Sequence, residues 1–218
     1  MSEPVLVARD VSRSYGRSWA VRRVTVELSA GALTALVGDN GAGKSTLLQM
    51  FAGLLRPTEG AIEVFGEAFR GFFPSDVRAR VGYIGHAPFV YPDLTGHENV
   101  AFFDRLYPNG ARPDHPRPTG PELLARVGLA DAGDKLVRSY SRGMTQRLAL
   151  ARLILQDPPI WLLDEPSTGL DRQGIAFLSS VLAEAKARGR CVVAVTHDMD
   201  ALGAIDREVR LKGGRLLA

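Results

Sequence analysis

Apolar and polar positions alternate in two stretches near the start of the chain, residues 5–11 and 20–28. A period of two is typical of half-buried antiparallel strands, and residues 15–18 supply turn residues between the two stretches. Residues 33–37 are mostly apolar and predict a buried strand. The chain is therefore expected to open with an antiparallel pair that leads into a core strand.

Later stretches predict strands alternating with helices. Strands are predicted over residues 61–64, 81–84, 160–163, 191–195 and 207–212, the last paired with 216–217 across Gly213-Gly214. Helices are predicted over residues 46–51, 121–127, 145–155 and 172–188, and from Thr95 onward. Thr95 with Glu98 three residues later is the pattern of a capping box, which marks a helix start.

The middle of the chain is expected to form a subdomain. The pattern over residues 87–156 is mostly helical, whereas residues 1–86 and 157–218 carry the strands of an α/β core and an antiparallel β subdomain. Residues 108–121, dense in proline, glycine and arginine, are predicted to be a surface loop. We therefore expect a single α/β domain over residues 1–218 with a helical subdomain inserted in it.

Composition narrows the class of protein. The 218 residues are 45% hydrophobic and 23% charged, which is ordinary for a soluble globular domain. The net charge of +3 comes from scattered residues without a dense basic run, so no nucleic-acid partner is expected. Neither a membrane span nor a signal peptide is recognisable, which predicts a cytoplasmic location. Cys191 is the only cysteine, so no internal disulfide is expected, and its apolar neighbours predict a buried residue rather than a reactive thiol.

The strand over residues 33–37 is followed by a match to G-x-x-x-x-G-K-[ST], the phosphate-binding loop of nucleoside triphosphatases. Its glycines let backbone N–H groups turn inward, and the helix after it adds the positive end of its dipole. We expect Lys44 to reach the β- and γ-phosphates of ATP and the Ser45 hydroxyl to bind Mg²⁺. A glycine-rich helix cap, the simpler alternative, requires no lysine followed by two hydroxyls. The predicted ATP-binding loop comprises Gly38, Asp39, Asn40, Gly41, Ala42, Gly43, Lys44, Ser45 and Thr46.

Polar residues follow two further apolar strands. Asp164 and Glu165 come after residues 160–163, where a doubly wound sheet presents its ligand-contacting side chains. We expect Asp164 to hold Mg²⁺ and Glu165 to act as general base toward the attacking water. His197, after residues 191–195, is placed to hydrogen-bond a γ-phosphate. The alternatives are that the two acidic residues simply end a strand and that the histidine is incidental.

Tyr15 precedes the loop on the predicted turn between the first two strands. Its ring can stack on the adenine of ATP, because base stacking on an aromatic side chain tolerates any base. The alternative is that it packs against Trp19 or the sheet.

Residues 140–144, Tyr-Ser-Arg-Gly-Met, resemble the Leu-Ser-Gly-Gly-Gln signature of ATP-binding cassette (ABC) nucleotide-binding domains, and the order of all the motifs agrees with that family. The resemblance implies a P-loop NTPase of the ABC type, with a RecA-like core, an antiparallel β subdomain and an inserted helical signature subdomain. It implies a head-to-tail dimer of two cassettes sharing two ATP sites. Residues 168–171 resemble the D-loop, whose Asp171 would lie at the dimer interface. The signature residues expected on the partner's γ-phosphate are Ser141, Arg142, Gly143 and Met144.

The chain departs from the family pattern in two places. Arg142 and Met144 replace a glycine and the final glutamine of the signature, while Ser141 and Gly143 remain. His86 stands where the family usually has a glutamine that touches Mg²⁺ and the attacking water. Imidazole is a poor Mg²⁺ ligand, so we expect His86 to act through water or as a mechanical link to a partner. The alternative is an ordinary surface-loop histidine.

The resemblance implies an ATPase that powers export through a separate integral-membrane subunit, at the cytoplasmic face of the cell membrane. The Gly-His pair and the Ser-Arg-Gly-Met signature are similar to ATP-binding subunits of cytochrome c maturation haem exporters, and exporters of other cargo share the signature form. Other hypotheses are a soluble ABC ATPase acting on ribosomes or DNA and a binding module without turnover. Two segments are candidates for docking the membrane subunit: the helix that begins near Thr95 and the loop over residues 87–94, with Phe89, Val90 and Tyr91. The alternative is that they pack inside the helical subdomain.

Overall fold

The computed structural model describes residues 4–107 and 118–217. Within them lie ten strands: β1 Pro4–Tyr15, β2 Ser18–Ser29, β3 Leu33–Val37, β4 Glu59–Val64, β5 Glu67–Phe69, β6 Val81–Ile84, β7 Ile160–Asp164, β8 Cys191–Val195, β9 Arg207–Lys212 and β10 Arg215–Leu216. The described α-helices are α1 Lys44–Phe51, α2 Ser75–Ala79, α3 Gly96–Leu106, α4 Gly120–Arg126, α5 Arg142–Gln156 and α6 Arg172–Ala187.

A six-stranded sheet with the order β10-β9-β3-β8-β7-β6 forms the centre of the fold. All its neighbouring strands pair in parallel except β10, which returns antiparallel to β9. Parallel strands need crossover connections, which are usually helical and cover both faces of the sheet. The carboxyl ends of β3, β6, β7 and β8 therefore meet at one edge, and the residues that follow them are brought together there.

Two apolar clusters, one on either face of the sheet, each contain residues of β3, β6, β7 and β8. In β7, Trp161 and Leu163 pack with the α3–α6 side, while Ile160 and Leu162 pack with α1 and with strands β1, β2 and β4. All four are fully buried, as expected for strands covered on both faces. Packing on both faces fixes the height and direction of the strand end at which Asp164 stands.

The remaining strands form a four-stranded antiparallel sheet with the order β2-β1-β4-β5. The predicted hairpin is confirmed, since β1 and β2 pair antiparallel from Pro4 opposite Ser29 to Tyr15 opposite Ser18. This sheet packs over α1 through the second apolar cluster. The phosphate-loop helix is thus held between two sheets.

Helix starts in the helical stretch are set by side-chain caps. The predicted capping box is confirmed at α3, where the Thr95 hydroxyl accepts from the Glu98 amide at 3.1 Å and the Glu98 carboxylate accepts from the Thr95 amide at 2.7 Å. A second box, between Thr119 and Glu122, starts α4. In both boxes the backbone amide is the main reason that the pKa of the glutamate is lowered.

The structure agrees with the predicted elements over most of the described chain. It extends α5 back to Arg142 and adds β5 and α2, which are three and five residues long and carry no usable periodicity. The predicted surface loop at 108–121 falls largely on residues 108–117, outside the described residues, and the division at 87–156 stays a prediction. Cys191 is buried in β8, and burial raises its thiol pKa to about 12, so it stays protonated and unreactive. Over residues 4–107 and 118–217, the helices are too short or too polar to span a membrane.

Candidate active site

The phosphate loop connects β3 to α1 and depends on glycines at two close approaches. Gly38 and Gly43 have φ values of 147° and 100°, in the region that favours glycine. A Cβ atom on Gly38 would lie 2.1 Å from the Leu211 carbonyl oxygen, and one on Gly43 would lie 2.2 Å from that of Ala20. Neither position can accept a side chain without backbone movement. The loop is therefore clamped between β2 and β9, with its amides at the start of α1.

Lys44 lies inside this loop and is almost fully buried. Its Nζ donates to the carbonyl oxygens of Gly38, at 2.6 Å, and Asp39, at 3.0 Å. Both acceptors are neutral, so they orient the ammonium group without cancelling its charge. The loop thus presents a fixed positive charge at a helix N-terminus, which suits a phosphate group.

A cleft of about 440 Å³ joins the phosphate loop to the strand ends opposite it. Lys44, Ser45 and Thr46 line one side of the cleft. His86 after β6, Asp164 and Glu165 at the end of β7, and His197 after β8 line the other. The structure therefore brings the predicted loop and the predicted catalytic residues into one cavity, as parallel strand ends require.

Asp164 is the most unusual charged group of the cleft. The residue is 2% exposed, and neither carboxylate oxygen has a hydrogen-bond partner among the described residues. A buried carboxylate without a partner is costly, so a cation is expected beside it. The Ser45 hydroxyl lines the same cleft, and two oxygen donors facing phosphate groups match the ligand preference of Mg²⁺. These residues fit the predicted magnesium site.

Glu165 has a strained backbone. Its φ is +53°, a left-handed conformation that costs a non-glycine residue ~1–3 kcal/mol. The conformation is held by its own amide, which donates to the Val195 carbonyl at 2.9 Å, and by its carbonyl, which accepts from the Thr168 amide at 3.1 Å. The carboxylate points toward His197, whose Nε2 lies 3.4 Å from Oε1. This backbone conformation directs the Glu165 side chain into the cleft.

His86 stands at the mouth of the cleft. Its side chain is 68% exposed, and its Nε2 lies 4.0 Å from Asp164 Oδ2, beyond direct hydrogen-bonding distance. It also lines a smaller cavity of about 180 Å³ that it shares with Asp164 and Glu165. The position leaves room for a bridging water and places His86 beside both the carboxylates and the loop that follows it.

Tyr15 ends β1 at the tip of the hairpin, with its ring about half exposed. The Arg13 guanidinium lies over that ring, 4.9 Å from its centroid, which is a cation–π distance. The contact with Arg13 was not foreseen from the sequence; because about half of Tyr15 stays exposed, stacking on adenine stays a prediction.

The signature residues lie at the start of α5, in a different cavity. The Ser141 hydroxyl caps the helix by accepting from the Met144 amide at 3.3 Å. Ser141, Gly143 and Met144 line a cavity of about 340 Å³ with Asp171. Arg142 faces the smaller cavity beside Glu165 instead.

Asp171 is engaged inside its own chain. Its carboxylate caps α6 by accepting from the Gly174 amide at 2.7 Å and from Arg147 Nη2 at 2.5 Å. The Gly174 amide and then Arg147 lower the pKa of this carboxyl group. These bonds leave the Asp171 side chain 65% exposed, and its place at a dimer interface stays a prediction.

One residue near the site was missed from the sequence. Gln146 lines the smaller cavity with Glu165, and its amide donates to the Pro166 carbonyl at 3.1 Å. It follows Gly143 by three residues, so the two share a face of α5. That spacing was the available signal, but what the face contacts depends on tertiary packing.

Known proteins share both the sequence and the shape of this arrangement. The family profile described as ABC transporter matches residues 21–168. The cytochrome c biogenesis ATP-binding export protein CcmA 2 of Cupriavidus metallidurans is 38% identical over 94% of this chain and 95% of its own length. A fluoroquinolones export ATP-binding protein of Mycobacterium tuberculosis is 38% identical over 91% of this chain and 64% of its own length. A solved dimeric ATP-binding cassette bound to ADP and Pi has a TM-score of 0.84 at 25% identity, covering 98% of this chain and 97% of that one.

Proposed function

Because this chain belongs to the ABC transporter family and is an ATPase of that family, we propose that its hydrolysis of ATP powers export through a separate integral-membrane subunit. The observation that carries the site assignment is the cleft in which Lys44 and Ser45 face the unpartnered Asp164 carboxylate and the Glu165–His197 pair. The proposed location is the cytoplasmic face of the membrane. Phosphate release by the purified chain, alone and with its membrane subunit, is the direct test.

The residues of the cleft divide the work of hydrolysis. The loop amides and Lys44 bind the β- and γ-phosphates. Ser45 and Asp164 would hold Mg²⁺, which supplies charge neutralisation to the phosphates when bound. Glu165 orients the attacking water and accepts its proton, while His197 hydrogen-bonds the γ-phosphate and holds Glu165 in place. Tyr15, fixed by Arg13, stacks on the adenine ring.

The proposed working unit is a head-to-tail homodimer. Ser141 and the amides at the start of α5 form an anion site that lines a cavity separate from the phosphate-loop cleft of the same chain. A second copy would bring that site onto the γ-phosphate held by Lys44. The dimeric state of the solved cassette of similar fold supports a dimer as the working unit.

The narrower proposal for the cargo is haem for cytochrome c assembly. It is supported by the likeness to the cytochrome c biogenesis export protein and by the Gly-His pair at the glutamine position. The fluoroquinolones export relative has the same sequence identity to this chain, 38%, so a drug is the competing cargo. A deletion strain separates them: loss of holo-cytochrome c supports haem, and drug sensitivity with normal cytochromes contradicts it. Sedimentation of the chain with ribosomes instead of membranes would contradict both.

His86→Ala is expected to lower partner-stimulated hydrolysis by about tenfold, the scale of one lost hydrogen bond, while ATP binding stays unchanged. The reason is its position beside Asp164, close enough for a water bridge but outside the phosphate loop. His86→Gln should restore stimulation. His97→Ala is a matched control. His97 lies on α3, and its Nε2 is also 4.0 Å from an aspartate oxygen, Oδ1 of Asp134. Equal stimulation in His86→Ala and wild type would remove the role.

The proposed docking surface is formed by Phe89, Tyr91 and Phe102. Phe89 is 54% exposed, and Tyr91 packs edge-on against Phe102 with 4.7 Å between ring centroids. Val90 instead packs against the apolar core, which agrees with the alternative of internal packing for this residue. Exposed aromatic rings beside the site loop suit a protein partner.

Phe89→Asp is expected to abolish co-purification of the membrane subunit while ATP binding is retained, because a charge in an apolar contact must be desolvated. Phe72→Asp is the control, since Phe72 is 64% exposed between β5 and α2. Unchanged assembly in Phe89→Asp would count against docking at this surface.

A further inference from the structure

The start of α5 is packed directly on the loop that follows Glu165, residues 166–171. A Cβ atom on Gly143 would lie 2.4 Å from the Gly169 carbonyl oxygen, so only glycine permits this approach. One on Gly169 would lie 3.0 Å from Arg142 Cγ, which places the Arg142 stem across the loop. Arg147 fixes the far end of the loop through Asp171. The helix and the loop therefore behave as one packed unit.

Gln146 is the contact of this unit nearest to Glu165. Its Nε2 donates to the carbonyl oxygen of Pro166, the residue directly after Glu165, and the contact is partly buried. Gln146 and Glu165 line the same cavity of about 180 Å³. This partly buried hydrogen bond restrains the Pro166–Ser167 peptide, which begins one residue after Glu165.

That restraint lies directly beside a strained residue, Glu165. The left-handed backbone of Glu165 is held on one side by the Val195 carbonyl and by the turn to Thr168. Gln146 adds a hold from the helical side, one residue further along. Strained backbone conformations persist only where several surrounding contacts stabilise them. Loss of the Gln146–Pro166 hydrogen bond should therefore let the Glu165 carboxylate move away from its position in the cleft.

We propose that Gln146 is a positioning residue for Glu165, through which the signature helix sets the aim of the general base in its own chain. The proposal rests on the proposed function of this cleft. It also connects two sites, since the start of α5 is the part expected to touch the partner's nucleotide. Misplacement of a catalytic group by about 1 Å is enough for a large loss of rate.

The test is Gln146→Met, which keeps the side-chain length and removes the donor. Expected is a kcat about tenfold lower with unchanged KM and unchanged ATP dissociation constant. The matched control is Gln156→Met at the other end of α5, because Gln156 makes the same kind of bond, to the Val81 carbonyl at 3.3 Å. That control should lower the thermal unfolding temperature but leave kcat unchanged. Gln146→Glu, which also lacks the donor at neutral pH, should repeat the loss in kcat and serves if the methionine variant does not fold.

The outcomes separate this inference from the function on which it rests. Wild-type hydrolysis with an unchanged kcat in either Gln146 variant would overturn the positioning role and leave the ATPase assignment intact. An equal loss of kcat in Gln146→Met and Gln156→Met would also overturn it, since the effect would then belong to helix stability. A wild-type chain without hydrolysis would overturn the proposed function and this inference together.

Discussion

Glu165→Gln is expected to reduce kcat by about 10²- to 10⁴-fold, the range for loss of a general base. The amide cannot take the proton of the attacking water, whereas the phosphate loop and Asp164 are untouched. ATP binding should therefore persist, and the stalled nucleotide should hold two copies together. Phosphate release, binding of a fluorescent ATP analogue and size-exclusion chromatography with ATP measure the three expectations.

Glu184→Gln is the matched control for this variant. Glu184 is an exposed glutamate on α6 that pairs with Arg126 at 2.5 Å, outside the cleft. Its loss should leave kcat unchanged. A Glu165→Gln enzyme that turns over like wild type would contradict the general-base assignment, and one that binds ATP as a monomer would contradict the shared site.

Lys44→Ala is expected to weaken ATP binding by about 30- to 150-fold, corresponding to ~2–3 kcal/mol for charge-assisted hydrogen bonds to phosphate. Hydrolysis at subsaturating ATP should fall by at least as much. Lys44→Arg should fail to restore binding, because the planar guanidinium replaces a compact ammonium group in a closely packed loop. Isothermal titration calorimetry with ATP measures the loss of binding affinity.

Lys135→Ala is the control, since Lys135 is exposed and lies outside the loop. A Lys44→Ala variant that binds ATP like wild type, with an unchanged unfolding temperature, would contradict the phosphate-loop assignment.

The sequence was most informative where one local pattern determines the outcome. Leu33–Val37, Val81–Ile84 and Cys191–Val195 have the predicted bounds, because short apolar β-branched runs flanked by polar or glycine residues have few other uses. The nucleotide loop was equally clear, since its glycines are required by contacts with β2 and β9. Local chemistry and global packing agree at these positions.

Prediction was weaker where a residue's role depends on its tertiary contacts with distant parts of the chain. The interface role of Asp171 stays a prediction, but the bonds of its carboxylate to Gly174 and Arg147 of the same chain were not foreseen. Arg13 over Tyr15 and Gln146 on Pro166 likewise depend on tertiary contacts. The short β5 and α2 are set by neighbouring strands and helices rather than by their own pattern. No local periodicity encodes such contacts.

The two carbonyl contacts of Lys44 have a consequence for the end of each turnover. When product phosphates depart, the ammonium group can return to the oxygens of Gly38 and Asp39 rather than remain a bare cation in a closed turn. In the proposed cycle these bonds would hold the ammonium group in place between rounds, and an incoming triphosphate would compete with the two carbonyls for its N–H donors. This competition would lower the affinity of the loop for nucleotide and speed the release of ADP, as repeated turnover requires.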